Sequence, residues 1–302
     1  MKMLKKKILF FIVISLFVFK PAFAENIMMK NPALKLMGYY IDEIEDKQTI
    51  NPYTVTTIAI YEISQNRHIS EIKNYILWYF AHLNHSDKDG LSGSIYDYEI
   101  SETGREISTV DYDSADGYAG TFLYLLNLYY LKTGDKALIN AKWEKIKDIA
   151  YLIVFLQTED GLTKALVKGN SNARYLMDNC EAYAGLKAFN ELSTQTGHGK
   201  DNLYLDAQNG IFGAMHEILY DGNAGNFYWA VDDEKKHASD WSIFYPDALA
   251  QLFPIYYDIL DAQQKTKKAL WQEFNNRYGT KMQKMPLEQR ILYELTSKKI
   301  ID

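Results

Sequence analysis

The sequence has few cysteines and prolines, and both shortages limit what the protein can be. Its single cysteine, Cys180, excludes an internal disulfide, so the fold must be stabilised by its hydrophobic core. The six prolines are scattered along the chain, and no Pro/Ser-rich or low-complexity tract marks a linker between domains. The roughly 278 residues that follow the N-terminal segment are therefore predicted to form one domain.

Long hydrophobic runs are also missing, except at the N-terminus. Four lysines within residues 2–7 precede an apolar run over residues 8–19, and the small-x-small pattern of Ala22-Phe23-Ala24 follows. These features predict a signal peptide over residues 1–24, a single domain over residues 25–302 and a secreted or periplasmic location. The apolar run is shorter than the roughly 20 residues of a membrane helix, so no membrane span is expected after cleavage.

Positive charge is scarce, and the expected mature chain is strongly acidic. The sequence has 33 basic and 39 acidic residues, and the first 24 residues hold five lysines and no acid. Cleavage would leave 28 basic residues against 39 acidic ones, a net charge of −11. Such a chain has no electrostatic basis for binding nucleic acid. A neutral or cationic partner fits better, and we expect a monomer that binds a polysaccharide or oligosaccharide.

Metal and cofactor motifs are absent as well. The six histidines show no HExxH or comparable zinc-ligand spacing, and no Gly-x-Ser-x-Gly element is present. The segment HSDKDGLSGSIY (85–96) resembles a calcium loop in part, but Tyr96 stands where a bidentate glutamate belongs. No metal site and no cofactor are therefore predicted.

What the sequence does have is an internal repeat of buried helices. Four segments share a similar start: NPYTVTTIAIYEI at 51, SADGYAGTFLYLL at 114, NCEAYAGLKAFNEL at 179 and YPDALAQLFPIYYDI at 245. Aligning them places Tyr53, Asp116, Glu181 and Asp247 in one column, at intervals of 63, 65 and 66 residues. This regularity predicts four similar structural units, and the C-terminal helices are the candidate for a degenerate fifth.

Each unit is predicted to contain an exposed helix, a loop with a short hairpin, and a buried helix. Asn51, Ser114 and Asn179 are predicted N-caps of buried helices, and residues 135–157 are predicted to form one exposed amphipathic helix. An acidic-Gly turn and a partly alternating segment precede each of the last three buried helices. The predicted fold is an all-α (α/α) toroid of the incomplete six-hairpin type, with all inner-helix N-termini on one face.

That arrangement brings acidic and aromatic residues together at one face. Asp116 is the predicted central carboxylate, with Glu181 as the acid, Asp240 or Asp247 as the base and Asp113 as a further candidate. The predicted substrate-binding residues are Tyr53, Tyr112, Tyr118, Arg174, Asp178, Asn179, Trp229, Trp241 and Tyr245. Paired carboxylates are what glycosidic hydrolysis needs, because one protonates the leaving oxygen while the other activates water or attacks the sugar.

Helix capping is the competing interpretation of these acids. A carboxylate in the first helical turn is stabilised by about 0.3–1 kcal/mol by the helix dipole alone. This effect accounts for one acid per helix, but not for the additional Asp111, Asp113, Asp178 and Asp240. A functional cleft therefore remains the preferred prediction.

The segment DYDSADGYAGTFLYLL (111–126) also carries a family resemblance. Alternating inner and outer helices with this Asp-rich inner-helix start resemble the six-hairpin glycosidase superfamily. The Asp-x-x-Asp-Gly-Tyr-Ala element, Asp113 to Ala119, is similar to that of glycoside hydrolase family 8. The resemblance implies an (α/α) toroid and an inverting glycoside hydrolase. Family 8 carries its acid, a glutamate, at an early inner-helix start, whereas Asn51-Pro52-Tyr53 has no carboxylate.

Two other functions stay open. The missing early glutamate favours a non-catalytic glycan-binding or envelope polysaccharide-assembly protein on a degenerate toroid. A polysaccharide lyase is the third possibility, because lyases use a similar toroid, but its anionic substrate suits so acidic a protein poorly. The leading prediction is an exported glycoside hydrolase.

Overall fold

A computed structural model describes residues 30–166, 172–233, 235–260 and 263–301. The predicted signal peptide and its boundary at Ala24 lie outside these residues. No helix within the described ranges is both long and apolar enough to cross a membrane.

Helices account for most of the described chain. The α-helices are α1 (Pro32–Gly38), α2 (Pro52–Ser64), α3 (Ile69–His82), α4 (Ala115–Thr133), α5 (Lys136–Ala141), α6 (Trp143–Leu156), α7 (Leu176–Thr196), α8 (Asn202–Ala214), α9 (Phe253–Tyr256), α10 (Gln264–Tyr278) and α11 (Leu287–Ile301). Two π-helical turns, Met215–Leu219 and Phe244–Ala248, and a 3₁₀-helix, Gly279–Lys284, accompany them.

Five inner segments form a closed ring. In ring order they are α2, α4, α7, the broken segment that contains the Phe244–Ala248 turn and α9, and α11. The ring closes because α11 packs against both α9 and α2. Helices α3, α6, α8 and α10 alternate with the inner segments along the chain. The prediction of an all-α toroid is confirmed, and the C-terminal helix provides its fifth inner segment.

The first turns of the inner helices show how the sequence determines their starts. Asn51 and Ser114 are N-caps as predicted, and their side chains accept hydrogen bonds from the backbone N–H groups of Thr54 and Gly117. The prediction for Asn179 is wrong, because α7 begins three residues earlier, at Leu176. Tyr175 pairs with Ala230 in a short antiparallel sheet, and the Leu176 N–H bonds to the Trp229 carbonyl, so this sheet fixes the earlier start.

The prediction of one exposed helix over residues 135–157 is also wrong in one respect, because this segment forms two helices, α5 and α6. Lys142 leaves helical geometry, with φ −111° and ψ 8°. Directly after the break, Trp143 is buried, with its ring stacked on Phe189 and on His198. The helix is therefore interrupted next to the point where this tryptophan packs into the core. The amphipathic pattern did not predict this interruption.

Short strands lie in the long loops, as predicted. They are β1 (Thr49–Ile50), β2 (Tyr98–Ile100), β3 (Glu106–Ser108), β4 (Arg174–Tyr175), β5 (Tyr220–Asp221), β6 (Asn226–Phe227), β7 (Ala230–Asp232) and β8 (Lys235–His237). They form three antiparallel sheets, ordered β1-β2-β3, β4-β7-β8 and β5-β6. In the middle loop, the described residues form a single bridge, Gln157–Thr163, in place of the predicted hairpin, and residues 167–171 lie outside the described ranges.

Helices α4 and α7 approach each other so closely that a residue with a Cβ atom would not fit at two positions of their contact. A Cβ atom on Gly120 would lie 2.4 Å from the Glu181 carbonyl oxygen, and one on Gly185 would lie 2.5 Å from the Gly120 Cα. Both positions therefore require glycine, because the obstructing atoms belong to the backbone. This contact fixes the rotation of the two helices that carry most of the site described below.

We predict that Gly120→Ala destabilises the protein by about 1–3 kcal/mol, because the added methyl group must push α7 away. Urea unfolding followed by circular dichroism measures the change in the free energy of unfolding. Gly213→Ala in α8 is the matched control, since a Cβ there meets no atom within 4 Å. Alanine also has the higher helix propensity, so the control should be neutral or stabilised by up to about 1 kcal/mol. Equal stability of Gly120→Ala and the wild type would contradict this account of the α4–α7 contact.

Candidate active site

The N-terminal ends of all five inner segments line one cavity of ≈ 300 Å³ on the ring axis. This convergence agrees with the prediction that the inner helices run parallel. The volume lies at the lower end of the range of about 300–1,000 Å³ that is typical of small-molecule sites. Its polar lining consists of Asn51, Tyr53, Thr54, Thr57, Asp113, Ser114, Tyr118, Asp178, Glu181, Tyr245, Tyr256, Tyr257, Glu288 and Gln289.

Glu181 is the most buried carboxyl group that lines the cavity. Its residue is 2% exposed, and the Tyr53 hydroxyl donates a hydrogen bond of 2.6 Å to its Oε1 atom. A Cβ on Gly117 would lie 2.9 Å from its Oε2 atom, so the glycine leaves room for the carboxyl group. Burial, and then the negative charge of Asp178, raise the pKa of Glu181 well above its ordinary value, while the Tyr53 hydrogen bond opposes the shift. The surroundings of Glu181 therefore favour its protonated form.

Asp178 and Asp113 lie near Glu181 in the same cavity. Asp178 precedes Glu181 by three residues on α7, so both side chains lie on the same face of the helix. Desolvation, and then the charges of Asp116 and Asp113, raise the pKa of Asp178 well above its ordinary value. Asp113, in contrast, is exposed and stands directly ahead of the N-cap Ser114, where water solvates its charge.

A polar network supports the wall formed by α2 and α4. The Asn51 amide donates to the Tyr118 hydroxyl at 2.7 Å and to Asp97 at 3.3 Å. The Tyr118 hydroxyl donates in turn to Asp97 at 3.1 Å. Burial raises the pKa of Asp97 to about 6, although these two hydrogen bonds oppose the shift. Asn51 therefore both caps α2 and fixes the position of Tyr118.

Aromatic rings form part of the remaining cavity lining. The rings of Tyr53 and Tyr118 stack with centroids 6.0 Å apart, and Tyr256 and Tyr257 line the cavity with them. Tyr245 differs from these because 59% of its surface is exposed. Such rings can cover the apolar faces of a sugar, and an exposed ring that borders the cavity offers a platform to an incoming chain.

Several predicted acids lie outside the cavity lining. Asp116 is wholly buried, and the hydroxyls of Ser114 and Thr163 donate to it at 2.8 and 2.5 Å. Asp247 is 5% exposed and accepts the Asp240 N–H at 2.8 Å, whereas Asp240 itself is exposed. None of these three residues lines the cavity. The catalytic roles that the sequence suggested for them stay predictions.

Other predicted binding residues have structural partners instead. Of the six aromatic residues predicted to bind substrate, Tyr53, Tyr118 and Tyr245 line the cavity. Tyr112 is buried against Tyr96 and donates to Asp87. Trp229 stacks on Tyr175, and the Trp241 carbonyl accepts a hydrogen bond from the Tyr278 hydroxyl. Arg174, in strand β4, donates to the Asp233 carbonyl, and Asn179, on α7, bonds the backbone of Thr163 and Tyr175.

The sequence-based prediction missed Glu288 and Gln289 on α11. Both line the cavity, and the Thr54 hydroxyl donates to Glu288 Oε1 at 2.5 Å. Pro286 precedes this helix much as Pro52 and Pro246 stand at two other inner-segment starts, and Glu288 follows it by two residues. Glu288, however, lies only 41 residues after Asp247 rather than 63–66. The shortened interval therefore hid this helix start.

The charge of the cavity is one-sided. Four carboxyl groups line it, and no Lys, Arg or His occurs among the described residues of its lining. The described part of the chain also contains no group of three or more His, Cys, Asp or Glu residues placed to hold a metal ion. The described side chains that line the cavity offer carboxyl groups, amides and hydroxyls.

Comparisons with known proteins bear on the fold. The sequence matches no protein-family model and no curated protein. A rhamnosidase from Klebsiella oxytoca with rhamnose bound is similar in structure, with a TM-score of 0.58 at 11% identity over 90% of this chain and 51% of that one. A GH78 family rhamnosidase of Bacillus sp. GL1 has a TM-score of 0.47 at 10% identity, over 65% of this chain and 22% of that one.

This chain thus spans about half the length of the Klebsiella enzyme, or less than a quarter of the Bacillus one. At 11% identity the likeness concerns the fold alone. The narrower likeness to glycoside hydrolase family 8 stays a prediction from the segment Asp113–Ala119. The protein has a glycosidase-like (α/α)-toroid fold.

Proposed function

We propose that the protein is an exported glycoside hydrolase that cleaves a polysaccharide or oligosaccharide in the axial cavity. The observation that carries this proposal is Glu181, a buried carboxyl group with a raised pKa inside a cavity that also contains the exposed Asp113. Environments that hold one acid protonated and another ionised are what acid–base hydrolysis requires. The rhamnosidase fold likeness supports a sugar as the substrate, and residues 1–24 support export.

In this mechanism Glu181 is the general acid. Its proton passes to the glycosidic oxygen as the bond to the sugar breaks, so the leaving group departs as a neutral alcohol. Tyr53 holds the Oε1 atom through its hydroxyl and orients the carboxyl group. Burial is the main cause of the raised pKa of Glu181, and the electrostatic effect of Asp178, three residues earlier, adds to it.

Asp113 is the general base. Its exposed carboxylate accepts a proton from a water molecule, which attacks the anomeric carbon from the face opposite the leaving group. This assignment replaces Asp240 and Asp247, which do not line the cavity. Asp116 becomes a positioning residue, since it accepts hydrogen bonds from Ser114 and Thr163 behind the wall and raises the pKa of Glu181.

The one-sided charge of the cavity argues against a polysaccharide lyase. A lyase must stabilise the carboxylate of a uronate while it abstracts the neighbouring proton, and this cavity offers four carboxyl groups and no cation among its described residues. Repulsion between like charges would oppose binding of such a substrate.

The test is hydrolysis by the mature chain, purified from Glu25 onward. We expect release of reducing ends from at least one member of a panel of soluble polysaccharides and 4-nitrophenyl glycosides that includes a rhamnoside. Proton NMR of the first product would then show an inverted anomeric configuration. Glycan binding in calorimetry without any release of reducing ends would contradict the proposal and favour a glycan-binding protein. Ultraviolet absorbance from an unsaturated product would identify a lyase.

A further inference from the structure

The axial cavity opens at the N-terminal ends of the inner segments. Among the described residues that line it, Asp113 and Tyr245 are the exposed ones, and both lie where an inner segment begins. All five inner segments contribute to the lining, and α11 closes the ring against α2, so the wall continues around the axis. A sugar chain can therefore enter from this face but cannot cross the cavity from side to side.

Three buried side chains close the far end of the cavity. Ile60, Tyr256 and Leu295 line the axial cavity and also a separate groove on the opposite face, where α2, α4 and α11 end. These residues are 3%, 6% and 7% exposed, so they form a floor between the two spaces. Because the cavity is blind, a glycan that fills it must enter with one end of its chain.

The carboxyl group of Glu181 lies deeper in the cavity than that of Asp113. A Cβ atom on Gly117, in the first turn of α4, would lie 2.9 Å from Glu181 Oε2, whereas Asp113 precedes that helix and is exposed. The lining continues below this level. On α2 it extends from Tyr53, the partner of Glu181, down to Ile60, a rise of about 10 Å. Space for a sugar therefore remains between Glu181 and the floor.

The relative depth of the two carboxyl groups determines the direction of the chain. In an inverting hydrolase the acid protonates the glycosidic oxygen, and the base activates water on the opposite face of the sugar. With the acid deeper than the base, the leaving sugar lies on the floor side of the cleaved bond. The leaving sugar belongs to the reducing-end part of the chain, and the closed floor requires it to be terminal. The whole cavity measures ≈ 300 Å³, which limits this part to one residue.

We infer that the protein removes single monosaccharides from the reducing end of a glycan chain. The inference rests on the proposed function, since it uses Glu181 as the acid and Asp113 as the base. The bond between the anomeric carbon and the glycosidic oxygen breaks, and the proton of Glu181 passes to that oxygen. The hydroxyl of the attacking water joins the anomeric carbon, and the other proton of the water passes to Asp113. The shortened chain then leaves through the mouth beside Tyr245.

A pentasaccharide labelled with heavy oxygen at its reducing-end anomeric position tests the direction. It is prepared from the panel polysaccharide that the mature chain cleaves, and mass spectrometry identifies the first products. We expect a labelled monosaccharide and an unlabelled tetrasaccharide. An unlabelled monosaccharide, or a disaccharide with a trisaccharide, would overturn the inference while leaving the proposed function intact. Failure of the proposed function looks different, because no panel member would then release reducing ends.

Thr57→Phe tests the blind end by a second route. Thr57 lines the cavity on α2 between Tyr53 and Ile60, so the larger side chain should occupy the space of the leaving sugar. A glycosyl fluoride of the mouth-side sugar needs no such space, because its leaving group is a single atom. The ratio of kcat/KM for the pentasaccharide to kcat/KM for the fluoride should therefore fall at least about tenfold.

Ser64→Phe is the matched control on the same helix. Ser64 is exposed and lines the groove on the opposite face, so this variant should keep the ratio of the wild type. An unchanged ratio in Thr57→Phe would overturn the inference, because the leaving sugar would then lie elsewhere. Should Thr57→Phe fail to fold, as judged by circular dichroism, the labelled pentasaccharide still decides the question with the wild type.

Discussion

Glu181→Gln is expected to lower kcat by about 10²- to 10⁴-fold, the contribution typical of a general acid. Glutamine keeps the volume of the side chain and the oxygen that accepts the Tyr53 hydroxyl, so the cavity should keep its shape. What the variant loses is the proton that the leaving oxygen must receive. KM should change little, because the interaction lost is made in the transition state.

The leaving group and the pH profile distinguish loss of the acid from general damage. An aryl glycoside with a strongly acidic phenol leaves without protonation, so its hydrolysis should be affected much less than that of an oligosaccharide. In the wild type, kcat/KM should fall as the pH rises through the raised pKa of Glu181, since the deprotonated group has no proton to donate. This alkaline limb should disappear in the variant.

The matched control for this experiment is Glu144→Gln on α6. Glu144 is exposed, pairs with Lys147 and does not line the cavity. It should therefore behave like the wild type. An equal loss of rate for all leaving groups in Glu181→Gln, with the alkaline limb retained, would contradict the assignment of the acid.

Asp113→Asn is expected to lower kcat by a similar factor of about 10²–10⁴, because water then attacks without a base. Asp113 is exposed, so its substitution should leave the free energy of unfolding close to that of the wild type. Added azide should restore part of the rate, because this anionic nucleophile attacks the sugar without proton transfer.

Asp111→Asn is the control for the base. Asp111 lies two residues away on the same exposed loop, but it bonds Lys88 and does not line the cavity. It should retain full activity and show no response to azide. If Asp113→Asn stayed fully active while Asp178→Asn lost activity and recovered it with azide, Asp178 would be the base and the present assignment would be wrong.

The sequence alone determined the repeated helical units and two of the inner-helix starts. The period of about 64 residues and the apolar segment that follows each start predict repeated helical units. This is possible because the spacing of a helix's own apolar residues indicates whether the helix is buried. The caps at Asn51 and Ser114 were predictable for the same reason, since a cap bonds a backbone group only a few residues away. Glu181 lines the cavity, although α7 starts four residues before the predicted start. Residues three apart share a helix face, so Asp178 and Glu181 both remain on it.

Only the tertiary structure decided which acids face the cavity. The contact at Gly120 and Gly185 fixes how α4 and α7 are rotated, and this rotation leaves Glu181 in the cavity lining and Asp116 behind it. Likewise, Glu288 enters the site because α11 packs against α2, a contact between segments more than 200 residues apart that no local pattern encodes. Periodicity and capping are local and can be predicted from short segments. The rotation of a helix and the closure of a ring depend on packing between distant segments, and these decided the composition of the site.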